Sequence, residues 1–531
     1  MTTRKTPYYE TRPKSAGWLE KLILPLDRFF NRVYGAKYNP IYQSGTIASL
    51  FLMMTIATGL YQLIFYKLSA PYESVAGLEA QWYLGRWIRA VHSYAGDGLL
   101  LVLVFHVFRM IIQGKTYGPR LLAWLTGVLM IGIILISGWT GIVLVWDIQA
   151  QKIAMEGARL LDVMPIFSEP LMRAFTKPEG QPATFFFLNL LLHMVFPMVV
   201  LALFWVHTLR ITKPALLPPK KTTMWIIVLM VGLGMVWPMG MLPKASQFAS
   251  PDIVNVDLFY SWWIQAARFI SSGWLLVLWA AMAVFMFSLP WWYRPKMHQL
   301  EASLPRMDLC TGCNQCKLDC PYGAINMIDP PMPRDDTEKV ANVTPSYCTS
   351  CGICAGSCAP MIIGPPNRNG RNLLEEVREF QKEYQPGASD IVLIACEQGL
   401  AESLRKAAPE GVHHYPVHCI GALHTSQVEF LLRRGAGGVL MIGCPEKDCV
   451  YRLGTRWMKE RLYDNREAEL HERVDKSRVR ITGLGRGELK EALEMVRQFK
   501  EDINSSKTPA KDIGDGEVNM ECDTATGGPN A

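Results

Sequence analysis

Residues 183–209, ATFFFLNLLLHMVFPMVVLALFWVHTL, form an apolar stretch that holds two histidines, His193 and His207, and no Asp, Glu, Lys or Arg. A stretch of this length can cross a bilayer as one helix. Fourteen residues is close to four helical turns, so both imidazoles lie on one face, about 21 Å apart along the axis. This spacing suits two cofactors stacked across a membrane, although a single histidine on an apolar helix is commonly a core residue.

The same interval recurs in the apolar stretch 87–112, between His92 and His106. Each of the two stretches therefore offers one imidazole at each of two depths. Two equally spaced pairs favour axial ligation of two haems over the alternative of unrelated core histidines.

The composition predicts a multi-domain chain with an α-helical membrane bundle and a soluble appendage. Half of the 531 residues are apolar, and charged residues are sparse between residues 43 and 293. The net charge of +7 arises mainly at membrane flanks and in mixed-sign helices, so we expect no nucleic-acid partner. Bilayer thickness predicts six transmembrane spans: 44–66, 87–112, 121–146, 183–209, 224–242 and 269–293.

Glycine repeats the fourteen-residue interval in the first and third predicted spans, at Gly45 and Gly59 and at Gly127 and Gly141. A missing side chain lets a planar macrocycle approach the backbone, whereas an interior glycine otherwise weakens a helix by roughly 1 kcal/mol. Close packing of membrane helices through small residues is the alternative. The matched pairs favour the haem interpretation.

Basic residues predict the orientation of the membrane domain. The connections after the second and fourth spans are basic, and so is the segment 1–39, which we expect to form an amphipathic helix at the membrane interface. These surfaces should face the cytoplasm, so the protein is expected in the inner (cytoplasmic) membrane, with both termini on the cytoplasmic side. No cleavable signal peptide is apparent, because the first long apolar run begins only after Tyr42.

Residues 40–293 resemble cytochrome b of the quinol-oxidising bc-type respiratory complexes. The resemblance rests on the four histidines, the four glycines, Arg89, Arg109, and Pro197, which follows His193 by four residues. It implies two b haems in a four-helix bundle, with a quinone pocket near each membrane face. Each arginine lies three residues outside a histidine and can reach a haem propionate, because charge within a membrane is costly unless paired.

The family pattern also implies how the axial ligands are shared between the two haems. His92 and His193 would hold the outer haem, and His106 and His207 the inner haem. We expect quinone exchange mainly near the inner haem, because the outer pocket lacks the Pro-Glu-Trp-Tyr motif of the family. Asp257 occupies the position of the family's glutamate and is a candidate quinol proton acceptor; a solvated loop carboxylate is the alternative.

Two compact cysteine runs follow the last span, DLCTGCNQCKLDCPYGAINM at 308–327 and YCTSCGICAGSCAP at 347–360. The spacing is that of bacterial ferredoxins with two [4Fe-4S] clusters, in which the fourth thiolate of each cluster comes from the other run. A zinc site also uses Cys-x-x-Cys but has no use for the duplicated pattern. We therefore predict a ferredoxin-like domain at 300–370, with clusters on Cys310, Cys313, Cys316 and Cys358, and on Cys348, Cys351, Cys354 and Cys320.

Short apolar strands alternate with helices in the segment 385–503, which predicts a small parallel α/β sheet. Cysteines close three of the strands, at the edge where ligands gather in such sheets. This segment resembles the delta subunit of methyl-viologen-reducing hydrogenases, on the motifs HCIG, GCPEKDC and YRLG. The resemblance implies a [2Fe-2S] cluster, with ordinary buried thiols as the alternative, and its ligands would be Cys396, Cys419, Cys444 and Cys449. The polar tail 504–531 is expected to be disordered.

These centres would form a relay of two haem b groups, two [4Fe-4S] clusters and one [2Fe-2S] cluster. We expect a membrane-bound electron-transfer subunit of a quinone-linked oxidoreductase complex, whose partner is a cytoplasmic heterodisulfide-reductase-type flavoprotein or hydrogenase-like iron–sulfur complex. A homodimer is compatible with this role. The alternatives are a membrane anchor and electron conduit without its own quinone site, and a reductase of an external metal or haem protein.

Overall fold

The computed structural model describes residues 14–164, 170–175, 181–209, 211–212, 214–246, 258–293, 301–407, 409–464 and 466–505. Asp257, the first part of the basic segment and nearly all of the polar tail lie outside these residues. The described part up to residue 293 is helical. Its helices are α1 (Lys14–Tyr34), α2 (Ser44–Phe65), α3 (Pro71–Ala80), α4 (Gly85–Ile112), α5 (Leu121–Val143), α6 (Ile148–Leu161), α7 (Ala183–Thr208), α8 (Lys220–Val236), α9 (Trp263–Ala266) and α10 (Ser272–Trp292).

Five of these helices, α2, α4, α5, α7 and α10, are long and apolar enough to cross a membrane. They correspond to predicted spans one to four and six. The predicted fifth span, 224–242, corresponds to α8, which has 17 residues and ends at Val236. At about 1.5 Å per residue, α8 is roughly 26 Å long, slightly less than the apolar thickness of a bilayer. The sixth crossing therefore stays a prediction.

The central bundle consists of two helix pairs, because α2 packs along α4 and α5 packs along α7. Ile47, Phe51, Ala95 and Leu99 are buried where the first pair meets. Gly98 has no side chain, so the Phe51 ring packs against the α4 backbone; a Cβ there would lie 3.0 Å from the ring. Helices α8 and α10 flank the bundle, against α4 and α5 respectively.

Helix α6 was not anticipated from hydropathy, because its sequence is amphipathic and shorter than a membrane span. The Asp147 carboxylate caps its first turn by accepting a hydrogen bond from the Ala150 backbone N–H at 2.9 Å. Its apolar side then buries Ile153 against Trp263 and Leu275. These contacts form a separate hydrophobic core that holds α6 and the segment around Trp263 against α10.

The predicted ferredoxin-like segment contains two small antiparallel sheets, β1 (Leu304–Pro305) with β4 (Ile363–Gly364), and β2 (Ile325–Ile328) with β3 (Val340–Val343). Helices α11 (Gln315–Asp319) and α12 (Ile353–Gly356) each begin inside a cysteine run. The residues just before them, Asn314 (φ 66°) and Gly352 (φ 78°), are left-handed. This conformation turns the chain sharply, so that the cysteines of one run stay within one loop.

The C-terminal segment is an α/β domain, as predicted. Its sheet has the order β6-β5-β7-β8, with all neighbours parallel. The strands are β5 (Ile391–Cys396), β6 (Val412–Val417), β7 (Gly438–Gly443) and β8 (Val479–Gly483), and the helices are α13 (Gly370–Tyr384), α14 (Ala401–Ala407), α15 (Thr425–Arg433), α16 (Gly454–Tyr463) and α17 (Leu489–Ser505).

Strand β5 is buried throughout because helices cover both faces of the sheet. Ile391 and Leu393 pack with Phe499 of α17, whereas Val392 and Ile394 belong to the core that includes α15. Alternate residues of a strand point to opposite faces, which explains a continuous apolar sequence at this position.

Both soluble domains lie against the end of the bundle that carries His106 and His207, which we call the inner end. The Thr212 backbone N–H donates to the Pro321 carbonyl, and its hydroxyl donates to the Cys320 carbonyl, both at 3.0 Å. Helix α1 also contacts the C-terminal domain, through an ion pair of 2.8 Å between Glu20 and Arg486. The predicted amphipathic helix thus touches a soluble domain.

Candidate metal and cofactor centres

Each predicted haem histidine lies opposite one of the predicted glycines. A Cβ added at any of these glycines would fall within 3.3 Å of the Cε1 atom of its histidine. The room that the absent side chain leaves is therefore taken by an imidazole, which brings all eight residues together in four pairs. The pairs are Gly45 with His106 (3.1 Å), Gly59 with His92 (3.1 Å), Gly127 with His207 (3.3 Å) and Gly141 with His193 (2.7 Å).

A hydroxyl residue precedes each glycine and lies beside Nδ1 of the same histidine. A partner at Nδ1 orients the ring and leaves Nε2 for a metal, which is the arrangement that axial ligation requires. The hydroxyl–Nδ1 distances are 3.3 Å for Ser44 with His106, 3.1 Å for Thr58 with His92, 3.2 Å for Thr126 with His207 and 3.4 Å for Thr140 with His193.

Backbone carbonyls add to this orientation. His193 Nδ1 donates to the Ser137 carbonyl at 2.8 Å, and His92 Nδ1 donates to the Thr55 carbonyl at 3.0 Å. Sequence reasoning missed the four hydroxyl residues, although a signal was present. A serine or threonine stands directly before every one of the four glycines, so the hydroxyls repeat the same fourteen-residue interval.

The two histidine pairs lie between the helix pairs of the bundle. The rings of His92 and His193 are neighbours in an edge-on arrangement, with centroids 6.2 Å apart and an interplanar angle of 65°. His106 and His207 both line a cavity of about 500 Å³ at the inner end. A volume in the range of roughly 300–1,000 Å³ is typical of cofactor sites. The residues at both depths therefore fit the haem groups that the sequence predicts.

Gly141 provides a sharp test of this fit. We expect Gly141→Ala to lose most of the haem that His193 is predicted to hold, because a Cβ 2.7 Å from Cε1 must displace the ring, and to retain the other predicted haem. The matched control is Gly132→Ala in the same helix, where a Cβ would meet nothing within 4 Å; alanine there should change stability by at most ~1 kcal/mol. Haem content per protein, measured as pyridine haemochrome, distinguishes the two. Full haem content in Gly141→Ala would contradict the predicted contact.

Arg89 and Arg109 are both paired with carboxylates in the structure. Arg89 donates to Glu79 at 2.6 Å and to the Gly240 carbonyl at 2.7 Å. Arg109, at the inner end, forms an ion pair with Asp448 of the C-terminal domain. Each guanidinium thus has a protein partner, and its contact with a haem propionate stays a prediction.

Tyr260 enters the outer half of the bundle, a position that sequence reasoning missed. Its hydroxyl donates to the Gly96 carbonyl at 2.8 Å. Its ring lies against Gly138 so closely that no other residue would fit there; a Cβ would lie 2.1 Å from the ring. Asp257, the candidate proton acceptor, lies outside the described residues.

The structure brings the first predicted set of ferredoxin-type thiols together around a small cavity. Burial, followed by the neighbouring thiols of the set, raises the pKa of Cys316 to about 12. A thiolate at this place therefore needs a cation, which iron would supply. The cavity is lined by all four members, Cys310, Cys313, Cys316 and Cys358.

The second predicted set is also assembled. Burial raises the pKa of Cys351 to about 12 and that of Cys354 well above its usual range, and in both cases neighbouring thiols of the set, Cys320 and Cys348, add to the effect. Among the described residues, no three His, Cys, Asp or Glu side chains converge tightly enough for a single metal ion. Thiolates around a [4Fe-4S] cluster bind different irons, so such convergence is not required of them.

The four cysteines of the C-terminal domain meet at the carboxyl edge of its sheet. The sulfurs of Cys396 and Cys444 lie 3.8 Å apart. Burial, and then the thiols of Cys449, Cys351 and Cys444, raise the pKa of Cys419 well above its usual range. The predicted set is therefore together, and Cys351 of the second ferredoxin-type set shares a buried core with Cys419. The ligand sets of all three groups stay predictions.

Comparison with known sequences finds a different family in each of three parts of the chain. The family described as cytochrome b/b6/petB matches residues 31–215, a 4Fe-4S binding domain matches residues 306–326, and the delta subunit of methyl-viologen-reducing hydrogenase matches residues 391–505. All three predicted resemblances are confirmed.

Individual relatives cover the membrane part. Cytochrome b6 of Prochlorococcus marinus (strain NATL1A) is 31% identical over 187 residues, which are 34% of this chain and 84% of the relative. Cytochrome b6 of Synechococcus sp. (strain CC9605) is 32% identical over 196 residues, 35% of this chain and 88% of the relative. Among solved structures, a chain described as hyperthermophilic respiratory Complex III is similar at 17% identity and a TM-score of 0.38, over 52% of this chain and 82% of that one.

Proposed function

Because the chain belongs to the cytochrome b/b6 family and is a membrane electron-transfer subunit, we propose that it connects the quinone pool with a soluble redox partner. Two b haems, two [4Fe-4S] clusters and one [2Fe-2S] cluster would carry the electrons. The soluble partner would be a heterodisulfide-reductase-type flavoprotein or a hydrogenase-like iron–sulfur complex, in keeping with the delta-subunit match. Because the three domains belong to one chain, the proposed haem sites and the proposed cluster sites are part of the same molecule.

One observation carries this proposal. The cavity that holds His106 and His207 is also lined by Cys449 of the C-terminal domain and by Tyr322 of the ferredoxin-like domain. The predicted inner haem site and the predicted cluster sites therefore meet at one place. When bound, the haems and clusters supply the redox chemistry, while the chain orients their ligands and keeps water away.

The inner end is also the proposed cytoplasmic face. Helix α2 begins there, because Gly45 in its first turn lies against His106. Helix α10 ends there, because its Leu289 packs with Trp124, which lines the same cavity as His207. Both soluble domains follow α10, so an even number of crossings, with α8 as the short fifth, would place both termini on this side. The basic connections at the inner end support a cytoplasmic assignment.

We propose that quinone exchanges electrons mainly at the inner end. Lys115 and Arg120 line the cavity beside His106 and His207. Burial, with Arg120 and Arg109 nearby, lowers the pKa of Lys115 well below its usual range. A quinone that gains negative charge beside Lys115 would favour the protonated, cationic form of this lysine and would be stabilised by it. The competing outer site would depend on Asp257.

Haem reduction by a menaquinol analogue in the full-length protein tests this function. We expect the analogue to reduce the haems and a quinone-site inhibitor to block the reaction. Lys115→Gln should slow it strongly, whereas Asp257→Asn should have little effect. The reverse pattern would place the quinone site at the outer face. Absence of any inhibitor-sensitive reduction would instead identify the chain as an anchor and conduit without its own quinone site.

A further inference from the structure

We infer that the C-terminal four-cysteine site, Cys396 with Cys419, Cys444 and Cys449, is the junction of the relay. It would lie between the inner histidine pair and the second ferredoxin-type set, rather than at the far end where its place in the sequence would put it. This inference rests on the proposed electron-transfer function. Three separate contacts carry it.

The first contact fixes Cys449 to the membrane bundle through both of its neighbours in the chain. The Asp448 carboxylate accepts hydrogen bonds from Arg109 and Gln113 at the end of α4. The Val450 carbonyl accepts a hydrogen bond of 2.8 Å from Arg120, just before α5. A thiol held on both sides in this way cannot move away from the inner end unless these bonds break.

The second contact is with the cavity of the inner histidines. Of the twelve cysteines in the described part of the chain, Cys449 alone lines this cavity, which it shares with His106 and His207. The ferredoxin-like domain reaches the same cavity only through residues such as Tyr322 and Thr349. A group held by Cys449 is thus positioned to adjoin the inner haem.

The third contact joins the same site to the second ferredoxin-type set. Cys351 of the second set and Cys419 of the C-terminal site belong to one buried core, to which both soluble domains contribute. Next to them, a Cβ on Gly352 would be 3.0 Å from that of Ala422. The backbones of the two loops are therefore in close contact.

A buried ion pair joins the ferredoxin-like domain to α16 of the C-terminal domain. Arg461 of α16 and Asp319 have completely buried side chains and form an ion pair of 3.1 Å. Arg461 also donates to the Ser357 hydroxyl at 2.7 Å and to the Gly421 carbonyl at 3.1 Å. Asp319, Ser357 and Gly421 lie one or two residues from Cys320, Cys358 and Cys419, so one guanidinium touches the chain beside a thiol of every set.

The rival order passes electrons from the inner haem directly to the second ferredoxin-type set. It has support from Thr212, whose two hydrogen bonds to Cys320 and Pro321 also bring that loop to the membrane. The two orders differ in what they require. In the rival order the C-terminal site is a side branch, and loosening Cys449 from the bundle leaves transfer to the haem intact.

A spectroscopic experiment tests the adjacency to the second set without any quinone. In the dithionite-reduced full-length protein, we expect the EPR signal of the C-terminal cluster to be split or broadened by a neighbouring paramagnet. Cys348→Ala, which removes a predicted ligand of the second set, should abolish this interaction. Cys313→Ala, in the first set, should leave it. A signal without magnetic interaction in the unmodified protein, or one that persists in Cys348→Ala, would overturn the inference.

A kinetic experiment tests the adjacency to the inner histidines. Reduced methyl viologen should reduce the clusters first and the haems through them, as followed by stopped-flow absorbance. In Asp448→Ala, which keeps all four thiols, haem reduction should lag behind cluster reduction, whereas Asp464→Ala, an exposed carboxylate of the same domain, should behave as the unmodified protein. Haem reduction at the unmodified rate in Asp448→Ala would establish the rival order. Because neither experiment uses quinol, failure of the proposed quinone link would show separately.

Discussion

Replacing Arg461 by methionine is expected to lower the free energy of unfolding by about 3–5 kcal/mol, the usual cost of leaving one partner of a buried ion pair without the other. The Asp319 carboxylate would stay completely buried in the joint core of the two soluble domains. Its remaining partners include the Ser357 hydroxyl at 2.6 Å and a second ion pair with Arg466, which is only partly buried. These contacts reduce the cost without removing it.

Arg456→Met is the matched control, because it lies in the same helix and pairs with Glu460 at 2.7 Å while its side chain is 54% exposed. An exposed pair of this kind contributes roughly 0–1 kcal/mol. Thermal unfolding of the full-length protein, followed by cluster absorbance, measures both variants. A second comparison separates charge from shape: Arg461→Met combined with Asp319→Leu should recover much of the loss, since neither buried charge remains. Equal unfolding temperatures for Arg461→Met and Arg456→Met would show that the buried pair does not hold the domains together.

Replacing His193 by alanine is expected to remove one of two b haems and leave the iron–sulfur signals intact. Its ring lies beside that of His92 at a centroid distance of 6.2 Å, and its Nδ1 is held by the Ser137 carbonyl. Loss of this predicted axial ligand would leave the haem with His92 as its single protein ligand. The other histidine pair lies about 21 Å away along the helices, and the predicted cluster sites lie in the soluble domains at the inner end, so neither depends on this ring.

His207→Ala should likewise lose one haem, but at the inner end, and the two variants should therefore lose haems of different midpoint potential. His414→Ala, a histidine of the soluble sheet, serves as control and should keep both haems. Pyridine haemochrome content and redox titration of the α-band provide the two readings. Retention of both haems in His193→Ala would refute the proposed axial pairing.

Local sequence patterns were sufficient to predict several elements. The length of the apolar runs located the helices α2, α4, α5, α7 and α10, because burial in lipid acts on each segment separately. Short apolar runs located all four strands of the C-terminal sheet. Helix α6 was missed, since an amphipathic helix of 14 residues has no signal of membrane length.

The candidate sites likewise combine features that the sequence predicts with contacts that only the structure adds. Fixed spacing brought each histidine to the depth of its glycine, because a helix converts sequence interval directly into distance. The hydroxyls at Ser44, Thr58, Thr126 and Thr140 carried the same interval and were available to sequence reasoning. Arg89 and Arg109 were assigned only to haem propionates, and the structure adds carboxylate partners, Glu79 and Asp448, that lie in other segments.

The sequence alone thus predicted which residues belong to each candidate centre, because helical periodicity and the spacing of cysteines in one loop are local properties. Tertiary structure alone decided how the centres adjoin one another. Asp448 meets Arg109 across 339 positions of sequence, and Arg461 meets Asp319 across 142. Such contacts form only where whole domains pack, since the free energy of a buried pair depends on the complete environment that replaces water around it. No interval within the chain encodes that environment.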